Sequence, residues 1–208
     1  MGKSETRDLS PRLKIDLHLG AGELTVNGGS EDWANGSFEY STAKMKPEFN
    51  YDLKGNTGNL SIDQPSTKKI TNFTNYQNEW NVELSNNIPI DLNIDSGATG
   101  TELNLAGLQL ASLTISTGVG KTLIDLSGDW KNSFDAKISN GVGDTEIIVP
   151  KNVGVKIKVD KGIGGTDISG LISQGDGVYI NEAYENAPVK IDIDLDFGVG
   201  GLEVTVEN

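Results

Sequence analysis

The chain has 208 residues, 26 of them glycine, no cysteine, and an aromatic content of 6%. Its 17 basic and 30 acidic residues give a formal charge of −13, the wrong sign for gripping nucleic acid or an anionic membrane surface. The lack of thiols excludes disulfides, thiol catalysis and thiolate metal sites.

Residues 1–12 are polar and predict a flexible N-terminal segment ahead of one domain over residues 13–208. Beyond residue 13 apolar residues alternate, and no window keeps a helical period. One unit recurs, two short alternating strands around a Gly-x-Gly, at residues 15–26, 92–105, 113–126, 136–149, 155–168 and 191–206. Residues 51–62, around Gly55, are a degenerate copy. The glycines read as structural corners: Gly20 and Gly22, Gly97 and Gly100, Gly118 and Gly120, Gly141 and Gly143, Gly162 and Gly164, Gly198 and Gly200. From Gly97 to Gly162 the first glycines are 21, 23 and 21 residues apart. Gly55 to Gly97 is 42 residues, two such steps, and the outer steps of 35 and 36 residues are one coil plus an insertion. A period in this range marks a solenoid. The predicted fold is all-β: a single-domain, right-handed β-solenoid-like stack of short parallel strands with Gly-x-Gly corners.

Alternation assigns the faces. Leu113, Ile115 and Val119 share one parity and Thr122, Ile124 and Leu126 the other, so the corner consumes one residue of phase and Val119 is expected to point inward. Outward residues two before each motif form a polar ladder of His18, Asp95, Ser116, Ser139, Asp160 and Asp196. Positive φ is expected at Gly118 and Gly141, so valine at either should destabilise. Three insertions interrupt the stack. Residues 27–46 are expected to cap it together with the last coil, residues 64–78 read as a long loop, and residues 171–188 should fold back over a coil edge.

The chemical motifs are weak. Gly118-Val119-Gly120-Lys121-Thr122 is like the end of a phosphate-binding loop, but Ile115 stands where the first glycine is needed and a strand follows instead of a helix. Gly164-Gly165-Thr166-Asp167 is like a calcium-binding nonapeptide, without its nine-residue tandem spacing. His18 is the single histidine, which closes off histidine-based catalytic sets. The carboxylate pairs, such as Asp91 with Asp95 or Asp192 with Asp194 and Asp196, could flank a glycosidic bond, yet no aromatic platform accompanies them. Trp33, Trp80 and Trp130 sit at segment boundaries and suit capping or core packing. No catalytic, cofactor-binding or metal residue is assigned, and no cofactor is expected.

Taken in series, LKIDLHLGAGELTVNGGSED, NEWNVELSNNIPIDLNIDSGATG, LTISTGVGKTLIDLSGDW, ISNGVGDTEIIVPKNVGVKIKVDKGIGGTDISGL and VYINEAYENAPVKIDIDLDFGVGGLEV resemble the bacterial toast-rack family of LiaF-type and phage-shock-type envelope proteins. The resemblance runs over residues 13–206. It implies a non-enzymatic, extracytoplasmic interaction or scaffold domain of a cell-envelope protein, with a stress-response or adhesion-like role and a protein partner at the envelope. The full-length form would be membrane-anchored or a lipoprotein, touching the membrane only through an anchor absent from this chain. The alternative is a cell-wall carbohydrate-binding or carbohydrate-active β-solenoid.

Overall fold

A computed structural model describes residues 1–8, 10–65 and 77–207. Seven coils carry the fold. The first and third are each one long bent strand, β2 (Arg12–Gly28) and β7 (Pro89–Asn104), preceded in the chain by a short strand, β1 (Gly2–Glu5). The others split at the corner. They are β5 (Thr57–Asp63) with β6 (Asn78–Leu84), β8 (Gln109–Val119) with β9 (Thr122–Asp125), β10 (Phe134–Val142) with β11 (Thr145–Pro150), β12 (Gly154–Ile163) with β13 (Thr166–Ile168), and β16 (Lys190–Val199) with β17 (Leu202–Glu207). The remaining strands are β3 (Ala34–Tyr40), β4 (Glu48–Lys54), β14 (Ile172–Gly175) and β15 (Val178–Ile180), with a 3-10 turn at Ala43–Met45.

Among the described residues the pairings between coils are parallel, and in register apart from a bulge at Ala111 between β7 and β8. Before the corner the strands run β5, β2, β7, β8, β10, β16, β12. After it they run β6, β2, β7, β9, β11, β17, β13. Equal residues therefore stack. Ile62, Leu17, Ile94, Ile115, Ile138, Leu195 and Val159 form one inward ladder. Val82, Val26, Leu103, Ile124, Ile147, Val204 and Ile168 form the facing one. Both belong to one continuous core. β-Branched and leucine side chains suit it because each rung leaves only about 4.8 Å along the stack.

Spatial order departs from chain order at both ends. The first coil, β2, lies between the second (β5 and β6) and the third (β7). The last coil, β16 and β17, lies between β10 and β11 on one side and β12 and β13 on the other. Each exchange needs the chain to step over a rung. Residues 85–88 and 151–153 do so, and each reaches well past the roughly 10 Å of two rungs. The last coil is thus interior, contrary to its expected role as a cap. The covers are antiparallel strands. β3 on β6 and the β14–β15 hairpin on β12 come from the insertions, whereas β4 on β5 is a hairpin turning at Gly55, so residues 51–62 are not a coil unit with a corner at that glycine. Residues 27–46 and 171–188 therefore cover coil edges as expected. Most of the loop expected over residues 64–78 lies outside the described residues.

Residues 1–12 are predicted to be flexible. In the structure Gly2–Glu5 instead extends the sheet as β1, antiparallel to β3, because the open edge of β3 offers unpaired backbone groups. Asp8 then pins the chain between β1 and β2. Its carboxylate accepts from the Ser10 amide at 2.7 Å, from the Trp33 indole at 3.3 Å, and from the Tyr51 hydroxyl. The bonds from Ser10 and Tyr51 hold the Asp8 pKa down to about 2.

The three tryptophans pack at the boundaries. Trp80 is buried edge-on to Phe38 at 5.4 Å and donates to Asn78 Oδ1. Trp130 packs on Phe134 and donates to the Leu126 carbonyl. Trp33 lies under Arg7.

Candidate interaction surface

The corners divide their work between two glycines. The second carries the unusual backbone: φ is +138° at Gly22, +144° at Gly120, +136° at Gly143, +153° at Gly164 and +155° at Gly200. The first is a close-approach position. A Cβ on Gly118 would lie 2.6 Å from the Gly97 carbonyl oxygen, and one on Gly141 would lie 2.6 Å from that of Gly118. The expectation of positive φ at Gly118 and Gly141 is therefore corrected: their glycine is required by the neighbouring backbone. Gly100 is also displaced from its expected role. Register pairs Gly22 with Thr99 and Glu23 with Gly100, so Thr99 occupies the second corner position and Gly100 comes one residue later.

Val119 points outward. The strand runs before and after the corner meet at the vertex, and its inner side is filled by buried Thr117 and Thr122. These belong to a hydroxyl and amide column under the corner. Ser96 donates to Thr117 at 3.3 Å, and Asn140 donates to Thr145 at 3.0 Å. The middle residues of the corners therefore stand in a row on the outside. Ala21 pairs with Ala98, Ala98 with Val119, Val119 with Val142, Val142 with Val199, and Val199 with Ile163. Val119, Val142, Val199 and Ile163 are 53%, 47%, 49% and 75% exposed. Simple alternation hides this row, because counting by twos through the corner places Val119 with Ile115. The signal available was the apolar middle residue that follows the first glycine of every Gly-x-Gly unit, Ala98 included.

Around the row the polar ladder stands where the sequence predicts it. His18 pairs in register with Asp95, Asp95 with Ser116, Ser116 with Ser139, Ser139 with Asp196, and Asp196 with Asp160. His18 Nδ1 sits 2.6 Å from Asp63 Oδ1. On the other flank Gly201 and Gly165 leave a hollow of about 490 Å³ bordered by Asp144, Glu146, Asp167 and Glu203. At the coil formed by β5 and β6 the corner is closed by side chains. Gln64 Oε1 accepts from the Gly20 and Ala21 amides, and Asn78 donates to the Ala21 carbonyl.

The chemical motifs resolve into structure. Lys121 is 3.2 Å from Glu146 and Thr122 is fully buried, so neither is presented to a phosphate. Asp91 takes two bonds from Arg12, at 2.5 and 2.6 Å, and one from Ser112. Burial pushes its carboxyl up, but these partners outweigh burial and hold it below its ordinary value. Lys156 donates to Tyr184 at 2.9 Å and to Asp192 at 3.0 Å, and Tyr184 donates to Asp192 at 2.9 Å. The bonds to Tyr184 and Asp192 push Lys156 up to about 12. It keeps its proton at neutral pH, the opposite of what a general base needs. Among the described residues no three metal-binding side chains cluster, and Gly164–Asp167 forms part of the corner and of β13. No helix among the described residues is long and apolar enough to cross a membrane.

Comparison with known families places two overlapping matches on the chain. Residues 3–148 match the N-terminal domain of toast_rack. The chain belongs to the toast-rack family. Residues 97–204 of this toast-rack chain also match the C-terminal domain of LiaF, the cell wall-active antibiotics response family. A "putative cell adhesion protein" from Clostridium sporogenes is 33% identical, covers 100% of this toast-rack chain and 98% of its own, and superposes with a TM-score of 0.96. A "putative adhesin" from Bacteroides fragilis is 11% identical, covers 97% of this chain and 96% of its own, and has a TM-score of 0.30. A comparison with curated proteins gives no match.

Proposed function

We propose that residues 13–208 act as one non-enzymatic, extracytoplasmic interaction and scaffold domain of a bacterial cell-envelope protein, attached through a membrane or lipid anchor and contacting a protein partner there. The observation that carries this reading is the end-to-end likeness to the Clostridium sporogenes protein described as a cell adhesion candidate. The LiaF-like match adds an envelope stress-response context. The architecture supports it. The coils stack in parallel register, the carboxylates Asp91 and Asp192 are engaged by Arg12, Ser112 and Lys156, and the outer faces are regular, as recognition surfaces held on a scaffold are.

A second reading, binding to cell-wall carbohydrate, is favoured by a shallow hollow of about 670 Å³ lined by Ser4, Asn27, Asn35, Ser37, Asn81 and Glu83, whose amides and hydroxyls can exchange hydrogen bonds with sugars.

The experiment is photocrosslinking in intact cells of the native organism. p-Benzoylphenylalanine is placed at single outward positions on each face, including Asn81 and Val119. The scaffold reading expects a discrete light-dependent adduct with one envelope protein from at least one face. Adducts with no protein from any face would overturn it, and retention on purified peptidoglycan lost in Asn81→Ala would move the role to the amide-lined hollow.

A further inference from the structure

The outer corner row is the feature that folding does not require. Neither its valines nor its isoleucine belong to the buried core, since Val119, Val142 and Val199 are about half exposed and Ile163 more so. Yet the six rungs whose corners are described all place alanine, valine or isoleucine there. With adjacent strands about 4.8 Å apart, the row from Ala21 to Ile163 is a straight apolar ridge of about 24 Å. A contiguous exposed apolar feature of this kind marks an interaction site more often than a scattered one does.

Charge selects the partner. On one flank the ridge is bordered by Asp95, Asp196 and Asp160, and on the other by Glu23 and Asp144. Close by, Lys121 is engaged by Glu146 and His18 is bonded to Asp63, while Lys137 and Lys158 stand two residues farther from the corner, on either side of Asp194. The hollow lined by Gly165 and Gly201 adds Glu203 and Asp167, with Lys121 also on its wall. A second copy would bring the same acidic borders into contact and be repelled, and an anionic bilayer would be repelled likewise. A segment with an apolar stripe between basic side chains meets both features at once.

We propose that the corner ridge is the docking surface of this domain, and that its occupant is a basic amphipathic segment of a partner protein. The partner lays its apolar stripe along Ala21 to Ile163 and its lysine or arginine side chains against the two acidic borders. This rests on the reading of the chain as an interaction scaffold and names the surface and partner chemistry. A helix of about 16 residues matches the ridge in length.

The test uses the 208-residue chain and a synthetic 18-residue helical peptide with leucines on one face and lysines elsewhere, titrated by fluorescence anisotropy. The parent is expected to bind with an affinity that falls steeply with added salt. The triple variant Val119→Ser, Val142→Ser, Val199→Ser should bind at least about tenfold more weakly at an unchanged melting temperature. Asp95→Asn, Asp160→Asn, Asp196→Asn should also weaken binding and flatten its salt dependence, which keeps the test decisive if the serine variant folds poorly. Three results overturn the proposal: parental affinity in the serine variant, equal binding of a scrambled peptide without an apolar face, or ridge-dependent self-association or capture by anionic phospholipid vesicles. If the ridge fails while crosslinks form from another face in cells, the scaffold reading stands and the surface is elsewhere. If no face crosslinks, the scaffold reading itself falls.

Discussion

Gly120→Ala should lower stability by about 4 kcal/mol or more and the melting temperature by about 10 °C or more. Two costs combine. The added Cβ would lie 1.8 Å from the Thr99 carbonyl oxygen, so one coil must move away from the next. The backbone there has φ +144°, a region costly for any residue with a Cβ. Two other glycines turn this into a ranking. Gly118→Ala lacks the positive φ, and its Cβ would stand 2.6 Å from the Gly97 oxygen, so its loss should be smaller. Gly165→Ala meets nothing within 4 Å and should change stability by less than about 0.5 kcal/mol. Urea unfolding of the three variants gives the order. Equal losses at all three would mean that glycine is used for turn entropy and not for close stacking.

The second large effect is expected at Asn181. This buried side chain holds the link that lets the chain skip a rung between β11 and β12. Its Nδ2 donates to the Val153 carbonyl at 2.7 Å and the Pro150 carbonyl at 3.3 Å, and its Oδ1 accepts from the Val155 amide at 2.9 Å. Asn181→Ala leaves those three backbone groups buried without it and should cost about 3 kcal/mol. Asn181→Asp keeps the shape but loses both donors and sets a carboxylate against two carbonyls, so it should cost at least as much. Amide hydrogen exchange should localise the loss to Val155 and its neighbours in β12. An Asn181→Asp protein as stable as the parent would contradict the assigned bonds.

Faces were legible where strands are straight. Alternation places Ile115, Ile138, Ile124 and Ile147 inward, and all four are buried. It fails at Val119 because the corner turns between Thr117 and Thr122 and leaves the middle residue at the vertex. The same bend separates a close-approach glycine, Gly118, from a positive-φ glycine, Gly120, two roles that the letter G does not distinguish. Coil order was hidden for a different reason. Every coil has the same inward pattern, so any coil can stack on any other, and the choice is made by link length and by distant contacts such as Asn181 with Pro150. The ordered N-terminus was equally non-local, since Asp8 is held by Tyr51 and Trp33 from later strands. The family resemblance was legible from the serial order of the motifs, whereas the apolar ridge needed the register.

The central claim is that the exchanged coil order builds the corner row, with Val142 beside Val199 and Ile163 one rung farther out. The chain lacks cysteine, so engineered pairs report without background. Val142→Cys with Val199→Cys places neighbouring Cα atoms about 5 Å apart, within disulfide reach, while Val142→Cys with Ile163→Cys spans two rungs, roughly 10 Å, beyond it. Under mild oxidation the first pair should close to an intramolecular disulfide and the second should keep free thiols. Closure of the second pair and not the first would mean the coils stack in chain order, and the ridge as drawn does not exist.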